Sequence, residues 1–177
     1  MSTTRRRIAT NGVELDVIDA GTPGDPVVVL VHGFPESSHS WRHQVDPLVA
    51  AGYRVLVPDQ RGYGASSAPA DVGAYRSDHL AADLVGLLDD VGADDALFVG
   101  HDWGSMVVWD LSRLHPDRVR GLVNVSVPYT DWPARPTDLF RARLDLNLKH
   151  ELVLLAGKID WDWIDGEIAA LYSEHGR

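Results

Sequence analysis

The chain has 177 residues, 45% hydrophobic and 24% charged, with a net charge of −10 and no cysteine. That is the balance of one globular domain, or of a domain and a piece, and it excludes a disordered or collagen-like chain. An acidic chain repels phosphate backbones, so no nucleic acid partner is expected, and zero cysteines exclude a disulfide scaffold, a cysteine-based zinc site and a thiol nucleophile.

In chain order, Arg5, Arg6 and Arg7 look like the opening of an export signal, but residues 8–12 do not supply the apolar stretch that must follow. No apolar run approaches the roughly 18–20 residues of a membrane-spanning helix, so a soluble cytoplasmic chain with no membrane partner is expected. Val13 to Ile18 alternates as a half-buried strand does, and residues 21–25 form a turn cluster. Val27 to Val31 is an unbroken β-branched and leucine run, suited to a strand buried on both faces. Trp41, Val45, Leu48 and Val49 fall at helical spacing, and Pro47 inside that stretch predicts a kink or two short helices. Arg54 to Val57 reads as a strand. Ser77 is placed to cap a helix carrying Leu80, Leu84, Leu87, Leu88 and Val91, with Gly92 after it. Ala96 to Val99 is a strand, Val107 to Leu114 a helix, and Val119 to Val127 a strand again. Strands and helices alternating at short spacing predict an α/β fold with a mostly parallel central sheet and helices on both faces. In such sheets ligands bind beyond the carboxyl ends of the strands. After Pro128 the composition shifts. Phe140, Leu144, Leu148, Leu152 and Leu155 give one helical stripe, and Ile164, Ile168 and Leu171 a second.

Three motifs follow predicted strands. Gly100-His101-Asp102-Trp103-Gly104 stands at a strand-to-helix junction. Small residues flanking a central side chain there describe a nucleophile elbow, in which a sharp turn exposes the middle residue above the sheet. A carboxylate at that point suits in-line attack on a strained or activated sp³ carbon, leaving an alkyl ester on the enzyme, and the helix start favours its ionised form. The competing reading makes Asp102 a helix N-cap. His32-Gly33-Phe34-Pro35 follows the buried strand. Its loop supplies one backbone donor of an oxyanion hole, the Phe34 N–H, and Trp103, after the nucleophile, supplies the other. His32 is read as a structural histidine that shapes the loop. Asp59-Gln60-Arg61-Gly62-Tyr63-Gly64-Ala65-Ser66 is read as a tight turn with a local Asp59–Arg61 charged pair.

Together HGFP, DQRGYGASSAP and GHDWG resemble the α/β-hydrolase superfamily, and its epoxide hydrolase branch in particular, from about Gly12 to Tyr129. The resemblance implies that Asp102 is the nucleophile, that Phe34 and Trp103 line the oxyanion hole, that Gly33, Pro35, Gly100, His101 and Gly104 belong to the structural motif, and that no cofactor or metal takes part. The partner implied is a small-molecule epoxide or related apolar electrophile, opened through an alkyl-enzyme ester to a diol.

In the family a late histidine activates the hydrolytic water, an acid orients it, and two cap tyrosines bind the epoxide oxygen. Here the strands can be followed up to the sixth of the usual eight. The chain is therefore read as residues 1–128, the N-terminal part of the hydrolase core, and 129–177, the start of a helical cap or a divergent tail. His150 and His175 do not follow a late strand, Asp131 is read as a loop aspartate near Pro128 and Pro133, and Tyr129 and Tyr172 match no cap motif. An ester that forms and persists is the expected behaviour, with Val119 to Val127 as an unpaired edge open to self-association. A haloalkane dehalogenase-like hydrolase is the enzymatic alternative, although Phe34 lacks the amide side chain many of those enzymes place there. A non-catalytic fragment binding a ligand or a complementary chain is the alternative of another class. Residues 160–166 fail the calcium-loop pattern at Ile164 and Asp165, and His39 and His43 have metal-ligand spacing but no acidic partner.

Overall fold

A computed structural model describes residues 3–127. Expectations for Tyr129, Asp131, His150, Tyr172, His175, the helical stripes at 140–171 and the 160–166 segment lie outside the described residues. Within them, six strands form one sheet: β1 (Thr3–Thr10), β2 (Val13–Ala20), β3 (Val27–Val31), β4 (Arg54–Pro58), β5 (Ala96–His101) and β6 (Val119–Val125), in the order β1-β2-β4-β3-β5-β6. β2 pairs antiparallel with β1 and β4, whereas β4, β3, β5 and β6 run parallel. Helices α1 (Arg42–Ala50), α2 (Ser77–Val91) and α3 (Trp103–Leu114) complete the alternating pattern. No helix among the described residues is long and apolar enough to cross a membrane.

All five residues of β3 are buried, as its continuous apolar run predicts. Alternate side chains point to opposite faces of a strand. Val27, Val29 and Val31 pack with Leu84, Leu87 and Leu88 of α2 and with Val107, Val108 and Leu111 of α3. Val28 and Leu30 pack with Trp41, Val45 and Leu48 on the α1 side. Each such side chain contributes about 1.5–3 kcal/mol by leaving water, so the strand is held from both faces. Its register with β5 matches Val31 to Gly100. The loop after β3 and the turn after β5 therefore emerge side by side.

One strand was not foreseen, and two local expectations differ from the structure. The arginines that resemble an export signal lie in β1, which the hydrophobic pattern does not reveal because only Ile8 and Thr10 of that strand are buried. They are held instead by charge: Arg5 meets Asp16 at 2.6 Å and Arg6 meets Asp19 at 2.9 Å, both on β2. The two-helix expectation near Pro47 is met differently. A 3₁₀ turn, Ser38–Trp41, runs into α1, and Pro47 sits inside α1 rather than at the break. Ser77 is the first residue of α2 and not its cap; Arg76 holds that position without a side-chain capping bond, and Gly92 closes the other end.

Candidate active site

Asp102 has φ 49° and ψ −118°, between the last residue of β5 and the first of α3. A non-glycine residue in such a conformation costs on the order of 1–3 kcal/mol, and the surrounding structure must enforce it. Here the Asp102 N–H donates to the Val125 carbonyl at the end of β6, 3.1 Å away. The Ser105 hydroxyl lies 2.7 Å from the Gly100 carbonyl and 2.9 Å from that of Val125, tying the turn to both strands. Gly104 is required by close approach, because a Cβ there would collide with the Val31 carbonyl oxygen and come within 2.7 Å of that of His32.

The Asp102 carboxylate does not cap α3. Its Oδ1 instead accepts a hydrogen bond from the Phe34 N–H, 3.0 Å away on the loop after β3. This bond is not the contact of a helix N-cap. Gly33 makes it possible: a Cβ at that position would stand 2.6 Å from the Asp102 Cβ and 2.8 Å from Oδ1. The second expected donor, the Trp103 N–H, opens α3, where backbone N–H groups have no intrahelical acceptor. The peptide bond between Phe34 and Pro35 is cis. The rings of Phe34 and Trp103 lie 5.8 Å apart, and each is more than half exposed. They form an apolar rim beside the carboxylate, extended by exposed Met106 one turn along α3.

His32 is fully buried. Its Nε2 accepts from the Gln60 N–H at 3.0 Å, which places the proton on Nδ1, 2.9 Å from the Gly33 carbonyl. Burial pushes this imidazole below its ordinary value, against the opposing pull of the Gly33 carbonyl. It is neutral and holds the loop in shape. The Tyr63 ring packs edge-on against it at 4.8 Å. Burial, and then the Asp102 charge, raise the Tyr63 phenol, which places Tyr63 within the field of the carboxylate.

The expected Asp59–Arg61 pair does not form. Arg61 reaches α2 and binds Asp83 through two bonds, Nε to Oδ2 at 2.7 Å and Nη2 to Oδ1 at 2.5 Å. Asp59 accepts from the Ser38 N–H at 2.6 Å. Neighbours along the chain lose to partners across it, because both groups are buried and need charge-assisted bonds with good geometry.

Sequence reasoning missed Glu36, whose only signal is an acid directly after His-Gly-Phe-Pro. Its Oε2 accepts from the Gly33 N–H at 3.1 Å and lies 3.1 Å from Nδ1 of His101. Burial works to raise this carboxyl, but the bond to His101 and then the Gly33 N–H outweigh it and hold it below the usual carboxylate range. His39 and His43 join no metal-ligand cluster; among the described residues no three groups of that kind come together.

The family model for the alpha/beta hydrolase fold matches residues 26–151. The chain belongs to the α/β-hydrolase family. The match covers the HGFP loop, the elbow and the stretch past residue 128. Epoxide hydrolase A of Mycobacterium tuberculosis is 56% identical over 145 residues, covering 81% of this chain and 45% of that protein. Epoxide hydrolase B of the same organism is 50% identical over 132 residues, covering 73% of this chain and 37% of that one. The crystal structure of epoxide hydrolase A from Mycobacterium thermoresistibile superposes with a TM-score of 0.71 at 54% identity, over 80% of this chain and 45% of that one. This α/β-hydrolase chain thus spans less than half the length of these relatives.

Proposed function

We propose that this α/β-hydrolase chain carries the nucleophile and oxyanion loop of an epoxide hydrolase-type site, with Asp102 as the attacking group. The observation that carries the reading is the half-buried Asp102 carboxylate, which sits on a strained turn instead of capping its helix, with Oδ1 held by the Phe34 N–H. Oδ2 is then the oxygen left to attack. It displaces the ring oxygen from an epoxide carbon, in line with the breaking C–O bond. The oxygen takes up a proton from water, which hydrolysis of the ester later returns, and a hydroxyalkyl ester remains on Asp102. Addition of water to the ester carbonyl places negative charge on Oδ1, the atom the Phe34 N–H already faces, with the Trp103 N–H beside it. Collapse releases the diol and restores the carboxylate, so epoxide and water are consumed together.

The names of the relatives favour an epoxide over a halide as the electrophile. The apolar rim of Phe34, Trp103 and Met106 suits an apolar substituent on it. In this reading residues 1–128 hold the nucleophile. The test is incubation of the full chain with a reactive aryl epoxide and peptide mapping by mass spectrometry. The expected adduct sits on Asp102 and is absent from Asp102→Asn. Adducts elsewhere with Asp102 unmodified refute the assignment.

A further inference from the structure

The ladder between β3 and β5 ends at Val31 and Gly100. Beyond it, the loop 33–36 and the turn 101–103 must keep their spacing without strand pairing. Two hydrogen bonds among the described residues cross between them. One is the Phe34 N–H to Asp102 Oδ1 contact, which involves the reacting atoms and changes as the carboxylate becomes an ester. The other joins Glu36 to His101 and involves none of them.

Glu36 also closes its own loop at both ends. Its N–H donates to the Gly33 carbonyl at 3.1 Å, and its Oε2 accepts from the Gly33 N–H at 3.1 Å. The Phe34 amide lies inside that four-residue turn, so the direction of its N–H is set by a ring of bonds that Glu36 completes. The side chains of Glu36 and His101 are 9% and 11% exposed, and a hydrogen bond withdrawn from water to that degree is strengthened.

We propose that Glu36 is a positioning residue, which aims the Phe34 N–H at Asp102 by clamping the loop after β3 to His101 on the nucleophile turn. The carboxylate does not touch the reacting atoms. It acts through Gly33 on one side and His101 on the other. The Glu36 carboxyl, held below the ordinary range chiefly by His101 against its burial, is ionised at neutral pH and accepts from both partners.

The chemical readout of this inference rests on Asp102 being the nucleophile, so the decisive readout is one that does not. In amide NMR of the full chain, the Phe34 proton is expected downfield because it donates to a carboxylate. In Glu36→Ala it should move upfield and exchange with solvent faster, while resonances of the sheet stay in place. The rate of Asp102 ester formation should fall by roughly tenfold, since misplacement of about 1 Å at a reacting centre can cost about 10²-fold and a loosened loop less. Glu36→Gln should recover most of both, because its amide oxygen still accepts from Gly33 and its NH₂ donates to Nδ1 of the other His101 tautomer. An unmoved Phe34 resonance in Glu36→Ala overturns the proposal, as does a Glu36→Gln variant as impaired as Glu36→Ala. If Glu36→Ala fails to fold, His101→Leu cuts the clamp on the other side, and an unmoved Phe34 amide there overturns the proposal equally. Absence of any ester in the unsubstituted chain sinks the nucleophile reading alone, and the amide readout still decides the clamp.

Discussion

Replacing Asp83 by alanine should destabilise the fold more than any single change at the site rim. Both side chains of the Arg61–Asp83 pair are 3% exposed. Asp83 accepts two bonds from Arg61 and one from Asn11 Nδ2 at 3.1 Å. Arg61 has one further bond, Nη1 to the Ala74 carbonyl at 2.6 Å. Alanine at 83 leaves a buried guanidinium with that neutral partner alone. Removing one member of a buried pair costs about 3–5 kcal/mol, because the stranded charge is neither solvated nor compensated. A domain's whole stability is about 5–15 kcal/mol, so the loss is a large share of it. With a urea m-value of about 2 kcal/mol/M, the unfolding midpoint should fall by about 1.5–2.5 M. The assay is urea denaturation followed by tryptophan fluorescence, with the double variant Arg61→Met, Asp83→Leu alongside. That variant removes both charges and should lie within about 1–2 kcal/mol of the unsubstituted chain, since well-packed apolar replacements of buried pairs are often neutral. A loss under about 1 kcal/mol in Asp83→Ala, or a double variant as unstable as the single one, would refute the reasoning.

Gly33→Ala should break the oxyanion contact: its Cβ would stand about 0.8 Å inside ordinary contact with the Asp102 Cβ, and an equal retreat puts the Phe34 nitrogen beyond hydrogen-bond reach of Oδ1. Loss of one oxyanion donor costs roughly 10²–10³-fold, so the slow hydrolysis of the persistent Asp102 ester, driven by hydroxide at alkaline pH, should slow further by intact-mass analysis; an unchanged ester lifetime would falsify the role of that amide. The His32 imidazole titrates lower folded than unfolded because it is buried. Its contribution to stability is therefore complete above the unfolded value of about 6.5 and is lost as pH falls from there toward the folded value; NMR titration should find His32 neutral at pH 6.5, and a midpoint above that value contradicts the geometry. β6 ends the sheet among the described residues and carries a single charge, Arg120. Self-association through its outer edge is proposed on that ground, and a sharp monomer boundary in sedimentation at high concentration refutes it.

Much of the fold was legible because its signals are local. The five-residue apolar run of β3 announces a strand buried on both faces, and Leu84, Leu87 and Leu88 announce one face of a helix. The turn at Asp102 was legible for the same reason, because Gly100 to Gly104 are contiguous, although Val125 and Val31 hold its geometry from across the sheet. β1 was not, because its arginines are held by acids on β2 and not by an apolar face. Partner choice was not legible either. Asp59 and Arg61 are two residues apart, yet each finds its partner elsewhere, at Ser38 and Asp83. Glu36 gains its meaning only where β3 and β5 run parallel in register and bring His101 within reach. Period and turn chemistry are properties of a few consecutive residues, so the sequence alone determined most of the elements and their α/β order, and it singled out the turn at Asp102. Which carboxylate meets which cation, and which amide faces the nucleophile, depends on groups brought together by the sheet, and the tertiary structure alone decided it.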